Sequence, residues 1–168
     1  MDEIQAQFVA FMSDIYQRSL GIGVDLTRYP IDHTAFRVAN AEDFQKYLEI
    51  FKANSILHTE KFFHERKFMC FALRQPLTWQ DVSIYFIEFA EPGGSDTYET
   101  GFQHVEILTP VALEEIFSSP QAKELLFSGK FGEDQYIKWP DKMVLKLKRK
   151  PIIVESLTED NPQIFLQD

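Results

Sequence analysis

The order of strand-like and helix-like segments repeats once along this chain, and this repetition limits the fold more than any other feature. Residues 31–38 (IDHTAFRV) alternate as a strand does, and a helical pattern follows, with Asn40 as N-cap and Asp43 in the capping-box position. Three strand-like runs come next, at 55–63, 66–74 and 80–90. A strand, a helical region and two or three strands then follow between residues 101 and 157, so element order predicts a β-α-β-β-β unit used twice.

The fold class that we predict is therefore α+β, with two paired β-α-β-β-β modules that form a cupped mixed sheet. Apolar residues at helical spacing between Ile4 and Ile15 predict an additional N-terminal helix. We expect one domain over residues 1–168, with that helix at 1–20, the first module at 31–90 and the second at 101–157. The segment PIIVESL, from Pro151 to Leu157, is taken as the last strand of the second module, and the tail beyond it as a short helix or an extended segment.

Composition excludes several classes of partner. The 168 residues carry a net charge of −9, whereas phosphate recognition needs clustered Lys and Arg, so we expect no nucleic acid partner. The basic run KLKRK at 146–150 is read as a solvated edge strand. The sequence has one cysteine, Cys70, no apolar run of membrane-spanning length and no visible secretory signal, and these features predict a cytoplasmic protein without a membrane partner. The oligomeric state stays open.

Each predicted module offers one histidine and one glutamate in corresponding places. His33 and His104 open the first strands, and Glu88 and Glu155 lie near the ends of the last strands. If the two sheets join into one cup, two imidazoles and two carboxylates can meet at its centre. Such donors suit one divalent ion of Zn, Ni, Co, Mn or Fe. Taken singly, each histidine is equally well explained as a satisfied structural residue and each glutamate as a solvated strand end.

Further residues could surround such a centre. Strand alternation puts Arg37 on the face of His33, and Glu106 on the face of His104. They could pair with each other, bind an anionic substrate or orient a ligand histidine. Candidate residues for a substrate pocket are Arg37, Glu106, Glu60, Arg66, Phe86 and Phe102, of which the two phenylalanines would supply apolar walls. A plain structural ion pair is the alternative for each of the four charged residues.

At this level the sequence resembles the vicinal oxygen chelate superfamily and, within it, the YecM-like proteins. The segments that carry the resemblance are IDHTAFRV, TEKFFHERK, IYFIEFAEP, YETGFQHVEIL and IIVESL, between residues 31 and 157. The resemblance implies paired β-α-β-β-β modules around a divalent metal, with His33, Glu88, His104 and Glu155 as ligands. Glu155 and Glu88 are also the candidate catalytic carboxylates. The chain has Gln103 where the family pattern has an acidic residue, a departure that we expect to lie off the metal face.

Three functions remain open from the sequence. The first is a metal-dependent enzyme with isomerase, lyase or dioxygenase-like chemistry on a small oxygen-rich molecule, in which the metal chelates neighbouring oxygens of the substrate. The second is a non-catalytic module that binds a metal or a small ligand. The third is a scaffold whose cup binds another protein. The quartet of ligands favours the first two functions over the third and does not separate them.

Overall fold

The computed structural model describes most of the 168-residue chain, and its architecture follows from the pattern of apolar residues. The described residues are 1–63, 66–93, 97–109, 120, 124, 126–128, 135–148, 150–158 and 163–167. Most of the helical region predicted in the second module lies outside these residues, but residues 126–128 are described and form a strand. The predicted α+β class, with a cupped mixed sheet and few helices, is confirmed.

The first helix, α1 (Asp2–Gly21), forms because its apolar residues recur at helical spacing and leave one stripe to bury. The residues of that stripe are Ile4, Phe8, Phe11, Met12 and Ile15, and all five are buried. The second helix, α2 (Ala41–Ala53), begins at the predicted cap, since the Asn40 side chain accepts a hydrogen bond from the Asp43 amide at 2.9 Å. The two helices pack on the same face of the sheet.

The strands and helices follow the predicted order in the first module, and the second half departs from it in two places: a short strand at 126–128 within the predicted helical region, and a helix at 152–158 where a strand was predicted. A 3₁₀ turn (Leu26–Arg28) precedes β1. The strands are β1 (Ile31–Arg37), β2 (Ser55–Phe63), β3 (Arg66–Trp79), β4 (Val82–Ala90), β5 (Gly101–Leu108), β6 (Leu126–Ser128), β7 (Gln135–Lys138), β8 (Val144–Lys148) and β9 (Gln163–Leu166). The last helix is α3 (Ile152–Thr158). No helix in the described ranges is both long and apolar enough to cross a bilayer.

All nine strands belong to one sheet, in the order β6-β7-β8-β5-β1-β4-β3-β2-β9. β1 runs parallel to β4, β5 runs parallel to β8, and β1 and β5 join the halves as an antiparallel pair. In this central pair His33 lies opposite Glu106 and Ala35 lies opposite His104. A pseudo-twofold axis between β1 and β5 therefore exchanges the two modules and brings equivalent positions to the centre of the sheet.

The predicted strand at PIIVESL is wrong, because residues 152–158 form α3. The β-branched run favoured a strand, but tertiary contacts override that propensity here. Pro151 starts the helix, as its carbonyl accepts hydrogen bonds from the amides of Val154 and Glu155. The Asp32 carboxylate accepts a further hydrogen bond from the Ile152 amide at 2.8 Å. The tail does not form a helix where it is described but adds β9 to the sheet beside β2.

The expected edge strand is also misplaced, because β8 lies between β5 and β7. Leu145 and Leu147 belong to the hydrophobic core, so the intervening Lys146 points to the other face of the sheet. We call the face covered by α1 and α2 the helix face, and the opposite face, which carries His33, His104, Glu88, Glu106 and Lys146, the site face. The basic run thus contributes cations to the site face instead of protecting an edge.

The core lies between the helices and the helix face, and aromatic rings dominate it. Phe36 on β1 contacts Tyr47 and Phe51 of α2, with ring centroids 4.5 and 5.4 Å apart, and Phe102 at 5.1 Å. Phe102 in turn contacts Phe8 of α1 at 5.4 Å. Burial of such rings supplies the main driving force for this layer. One continuous hydrophobic cluster therefore joins both helices to strands of both modules.

Stability should depend on pH through His58, a buried histidine of β2. Its ring stacks between Phe71 and Phe165, at 5.1 and 4.8 Å. Burial lowers the pKa of His58, although the neighbouring Glu60 carboxylate opposes this effect. Since the unfolded chain takes up this proton below about pH 6.5 and the folded chain resists it, the free energy of unfolding should fall as the pH falls.

The measurement is urea unfolding of the wild type and of His58→Gln at pH 7.5 and 5.5. The His58 share of the loss cannot exceed about 1.4 kcal/mol over this interval. The variant should lose less stability between the two pH values than the wild type does. Equal losses in the two proteins would contradict the lowered pKa.

Candidate metal centre

The two predicted histidines meet at the centre of the site face. Their ring centroids are 5.8 Å apart, and both side chains are buried. His33 lies on β1 and His104 on β5, and the pseudo-twofold axis between these strands brings them together. Glu88 on β4 pairs with Ala35 in the same layer. One donor atom from each of His33, Glu88 and His104 lies within 4.8 Å of the other two.

A one-residue shift of register precedes each histidine, and such a shift is the signature of a β-bulge. On β1, Ile31 pairs with Ile107 but His33 pairs with Glu106, so Asp32 is the extra residue. On β5 the extra residue is Gln103, since Ala35 pairs with His104 and Phe36 pairs with Phe102. The bulges occupy equivalent places in the two modules, and each turns the residue before the histidine toward the imidazole.

These two bulged residues fix the tautomers of the histidines. The Nδ1 atom of His33 donates to Asp32 Oδ2 at 2.8 Å, because a carboxylate can only accept. The Gln103 amide nitrogen donates to the Lys142 carbonyl at 2.7 Å, which turns Gln103 Oε1 toward His104 Nδ1 at 2.6 Å as the acceptor. With hydrogen on both Nδ1 atoms, each Nε2 atom keeps a free lone pair, the form in which imidazole binds metals.

The expectation that Gln103 lies off the metal face is therefore wrong, and Phe102 is misassigned for the same reason. Alternation alone would put Phe102 on the face of His104, but the bulge at Gln103 reverses it. Phe102 packs among Phe8, Phe11 and Phe36 on the helix face instead. Phe86 does keep its predicted place, because it pairs with His33 across β1 and β4 and is half-buried there.

The buried polar atoms that lack a partner are concentrated at this centre. Among the described residues, four buried side-chain oxygens and nitrogens make no hydrogen bond: Nε2 of His33, Nε2 of His104, and both carboxylate oxygens of Glu106. Buried polar atoms are normally satisfied, so each exception asks for a missing partner. The two imidazoles lie in one group of donors with the Glu88 carboxylate. Such imidazole and carboxylate donors suit Zn²⁺, Ni²⁺, Co²⁺, Mn²⁺ or Fe²⁺.

Neighbouring charges hold the donors in their metal-binding protonation states. Burial alone would raise the pKa of Glu88, but the positive charges of Arg37 and Lys146 hold it well below its usual range. Burial, together with the charge of Lys146, lowers the pKa of His104 well below its usual value. At neutral pH the centre thus presents an ionised carboxylate and a neutral imidazole.

Arg37 pairs with Glu88 and not with Glu106, the partner that the sequence suggested. It binds the Glu88 carboxylate through Nη2. Glu106 is fully buried, with Oε1 3.6 Å from both His33 Nδ1 and Lys148 Nζ. Burial raises the pKa of Glu106. Asp32, His33 and Glu106 form a second group of close donors on the other side of the His33 ring.

Glu155 is not among the grouped donors. Because residues 152–158 form α3, its carboxylate comes from a helix and binds Lys148 Nζ at 2.6 Å. It nevertheless approaches the centre, since Glu155 and Glu88 line one small cavity of about 40 Å³ between α3 and the sheet. Cys70, on the strand next to β4, lines the same cavity, and burial raises the pKa of its thiol to about 12.

Glu60 and Arg66 do not lie at the centre. Glu60 alternates with the site-face residue Thr59, so its side chain is on the other face of β2. There it contacts His58 Nε2 at 3.2 Å and Lys67 Nζ at 3.0 Å. The Arg66 guanidinium donates to the Glu91 carbonyl at 3.1 Å, near the β2–β3 turn. Both residues have structural partners, which agrees with the structural alternative and not with the predicted place in a substrate pocket.

Asp32, Gln103, Lys146 and Lys148 were not among the predicted site residues. A signal for the first two was present, because each immediately precedes the histidine of its module. The signal for the lysines was their alternation with Leu145 and Leu147, which puts both on one face of a strand. The bulges themselves leave no such pattern, since they depend on how β1 and β5 pair.

Comparison with known proteins agrees with this architecture. A family model described as YecM protein matches residues 1–155. The chain belongs to the YecM family. An uncharacterized protein of Haemophilus influenzae is 24% identical over 117 residues, which are 66% of this chain and 61% of that protein. The match therefore spans less than two thirds of the length of that relative.

Two solved structures match this chain, one closely and one distantly. One, titled Structural Genomics, Protein EC4020, has a TM-score of 0.81 at 18% identity and covers 95% of this chain and 92% of its own. The other is a mutant of the genomically encoded fosfomycin resistance protein FosX from Listeria monocytogenes, in complex with Mn(II) and 1S,2S-dihydroxypropylphosphonic acid. It matches with a TM-score of 0.25 at 14% identity, over 74% of this chain and 94% of its own. The first shares the fold, and the second is too distant to support an argument.

Loss of the hydrogen bond between Gln103 and His104 should lower the free energy of unfolding measurably. In Gln103→Leu, the buried Nδ1–H of His104 loses its acceptor, so the free energy of unfolding should fall by about 1–3 kcal/mol. Urea unfolding of the metal-free protein at pH 7.5 measures the change. Gln45→Leu, on the solvent side of α2, is the matched control and should change little. Equal stability of Gln103→Leu and wild type would contradict the assigned hydrogen bond.

Proposed function

We propose that the chain binds one divalent metal ion through His33 Nε2, His104 Nε2 and the Glu88 carboxylate, and acts on a small oxygen-rich molecule. The observation that supports this most strongly is the pair of buried Nε2 atoms without hydrogen-bond partners in the described structure. Their Nδ1 atoms are engaged as donors, so these lone pairs cannot be relieved by a change of tautomer. A cation is the partner that satisfies both at once.

The residues around the three donors have supporting roles. Asp32 and Gln103 fix the two imidazole rings, and Arg37 holds the Glu88 carboxylate in place. Phe86 adds an apolar side chain next to His33. A divalent ion held by these donors would act as a Lewis acid that polarises the oxygens of a bound molecule. The pairing with Arg37 and the lowered pKa make Glu88 a weak base at neutral pH, which suits a ligand better than a proton acceptor.

Glu155 is the better candidate for a catalytic carboxylate. Among the described residues that line the small cavity, it is the only acidic one besides Glu88, and it comes from α3 instead of the sheet. It would act on a molecule that enters between α3 and the sheet, without binding the metal. An isomerase, lyase or dioxygenase-like reaction is compatible with this arrangement, and a non-catalytic metal-binding or ligand-binding module is the alternative.

The metal site is tested by Co²⁺ titration calorimetry on protein purified without an affinity tag and stripped of metal with a chelator. Because each variant removes one of three donors, His33→Gln, His104→Gln and Glu88→Gln should each weaken Co²⁺ binding about 100-fold or more. The matched controls are His58→Gln and Glu60→Gln, which alter a buried histidine and a carboxylate of the helix face. Wild-type affinity in both site-histidine variants would contradict the proposal.

The role of Glu155 is tested separately. Since its carboxylate binds Lys148 and not the cluster of donors, Glu155→Gln should leave Co²⁺ affinity within about twofold of the wild type. The same titration measures it beside Glu88→Gln. A loss in Glu155→Gln as large as that in Glu88→Gln would show that Glu155 is a fourth ligand.

A further inference from the structure

The pseudo-symmetry of the sheet identifies the residue that corresponds to Glu88 in the second module. Glu88 pairs with Ala35, two residues after His33, on the parallel neighbour of β1. In the second module, the residue two positions after His104 is Glu106, and the parallel neighbour of β5 is β8. The residue that corresponds to Glu88 is therefore the partner of Glu106 on β8. That partner is Lys146. The place where a symmetrical centre would have a second carboxylate therefore holds an ammonium group.

The ammonium of Lys146 has no direct partner among the described residues. Lys146 is half-buried, and its side chain makes no hydrogen bond or ion pair with any residue of the described structure. Lys148, the next lysine on this face of β8, contrasts with it, because its ammonium binds the Glu155 carboxylate at 2.6 Å. The carboxylates of Glu88 and Glu106 lie on the same face of the sheet, but neither forms a direct ion pair with Lys146, so its half-buried ammonium can pair with an anion that enters the centre.

Lys146 also lies within electrostatic reach of the proposed metal ligands. Its charge acts on Glu88, His104 and Glu106. Arg37 and Lys148, two other cations near these donors, are already bound to Glu88 and Glu155. The carboxylate of a ligand bound next to the metal would therefore be attracted to the ammonium of Lys146.

We propose that Lys146 is the anion-binding residue of the centre, and that the molecule bound there carries a carboxylate whose charge pairs with Lys146 while a neighbouring oxygen approaches the metal. This proposal rests on the metal site proposed above and narrows its ligand class. The ligand is a small 2-hydroxy acid or a similar carboxylate with an adjacent oxygen. A neutral diol of the same size lacks the charge that the site is built to take.

The test uses two probes that differ in charge and hardly in shape, glycolate and its amide, glycolamide. Each is titrated into Co²⁺-loaded protein, and binding is followed by calorimetry and by the visible spectrum of the bound Co²⁺. The wild type should bind glycolate at least tenfold more tightly than glycolamide. Lys146→Gln should lose this preference and keep its Co²⁺ affinity within a few-fold of the wild type. Lys138→Gln, at an exposed lysine of the adjacent β7, is the control of equal charge change and should behave as the wild type.

A second variant keeps the test decisive. Lys146→Glu restores the symmetrical set of two histidines and two carboxylates, so it should bind Co²⁺ about tenfold or more tightly and bind glycolate more weakly than Lys146→Gln does. Glycolate affinity that is the same in wild type and Lys146→Gln would overturn the proposal. So would an equal affinity of the wild type for glycolate and glycolamide.

Failure of the metal site is distinguishable from failure of the anion site. If the wild type takes up no Co²⁺, the proposed function is wrong, and glycolate is then titrated into the metal-free protein. Binding that disappears in Lys146→Gln and persists in Lys138→Gln would support the lysine site without the metal. Absence of binding to the metal-free wild type in that case would overturn the lysine site as well.

Discussion

The hydrogen bonds from the two histidine Nδ1 atoms to the bulged residues are the interaction on which the centre depends. Asp32 and Gln103 accept these bonds, and both can do so only because a register shift turns them toward the ring of the next residue. With Nδ1 committed as a donor, Nε2 of each ring is left as an acceptor at the centre of the sheet. The pairing of β1 and β5 thus leaves both imidazoles in the tautomer that can bind a metal through Nε2.

The two halves of the centre are similar in backbone and different in charge. The first module contributes Asp32 and Glu88, and the second contributes Gln103 and Lys146 at the equivalent positions. Both exchanges remove negative charge from the second half. In the proposed metal site, the first module would supply two of the three ligands and the second module one. The proposed carboxylate ligand is asymmetrical in the same sense, since its negative charge would lie on the side of the second module.

Much of this arrangement could be predicted from the sequence, since the repeated order of elements gives the two modules. Their pairing then brings His33, His104 and Glu88 together, because equivalent positions meet at a pseudo-twofold axis. The failures have a common cause. Phe102 and Gln103 were misassigned because a bulge depends on the partner strand, which local alternation does not reveal.

Glu155 was misassigned for a related reason. The run Ile152–Val154 has the β-branched composition of a strand, and only contacts from elsewhere in the chain turn it into a helix. With that strand removed, β8 becomes the last strand of the second module, and its lysines reach the site face. Whether the second module places a carboxylate (Glu155) or an ammonium (Lys146) opposite Glu88 therefore depended on the assignment of one short segment.

The buried polar atoms without hydrogen-bond partners reduce the stability of the metal-free fold. In the part of the chain that the structure describes, all of them belong to His33, His104 and Glu106. Elsewhere in that part the fold satisfies its buried polar side chains, as natural proteins generally do. A cation bound at the proposed metal site would supply the missing partner of the two Nε2 atoms and so favour the bound state over the empty one. The helix α3 is linked to this centre, since Asp32 binds both the His33 ring and the first amide of that helix.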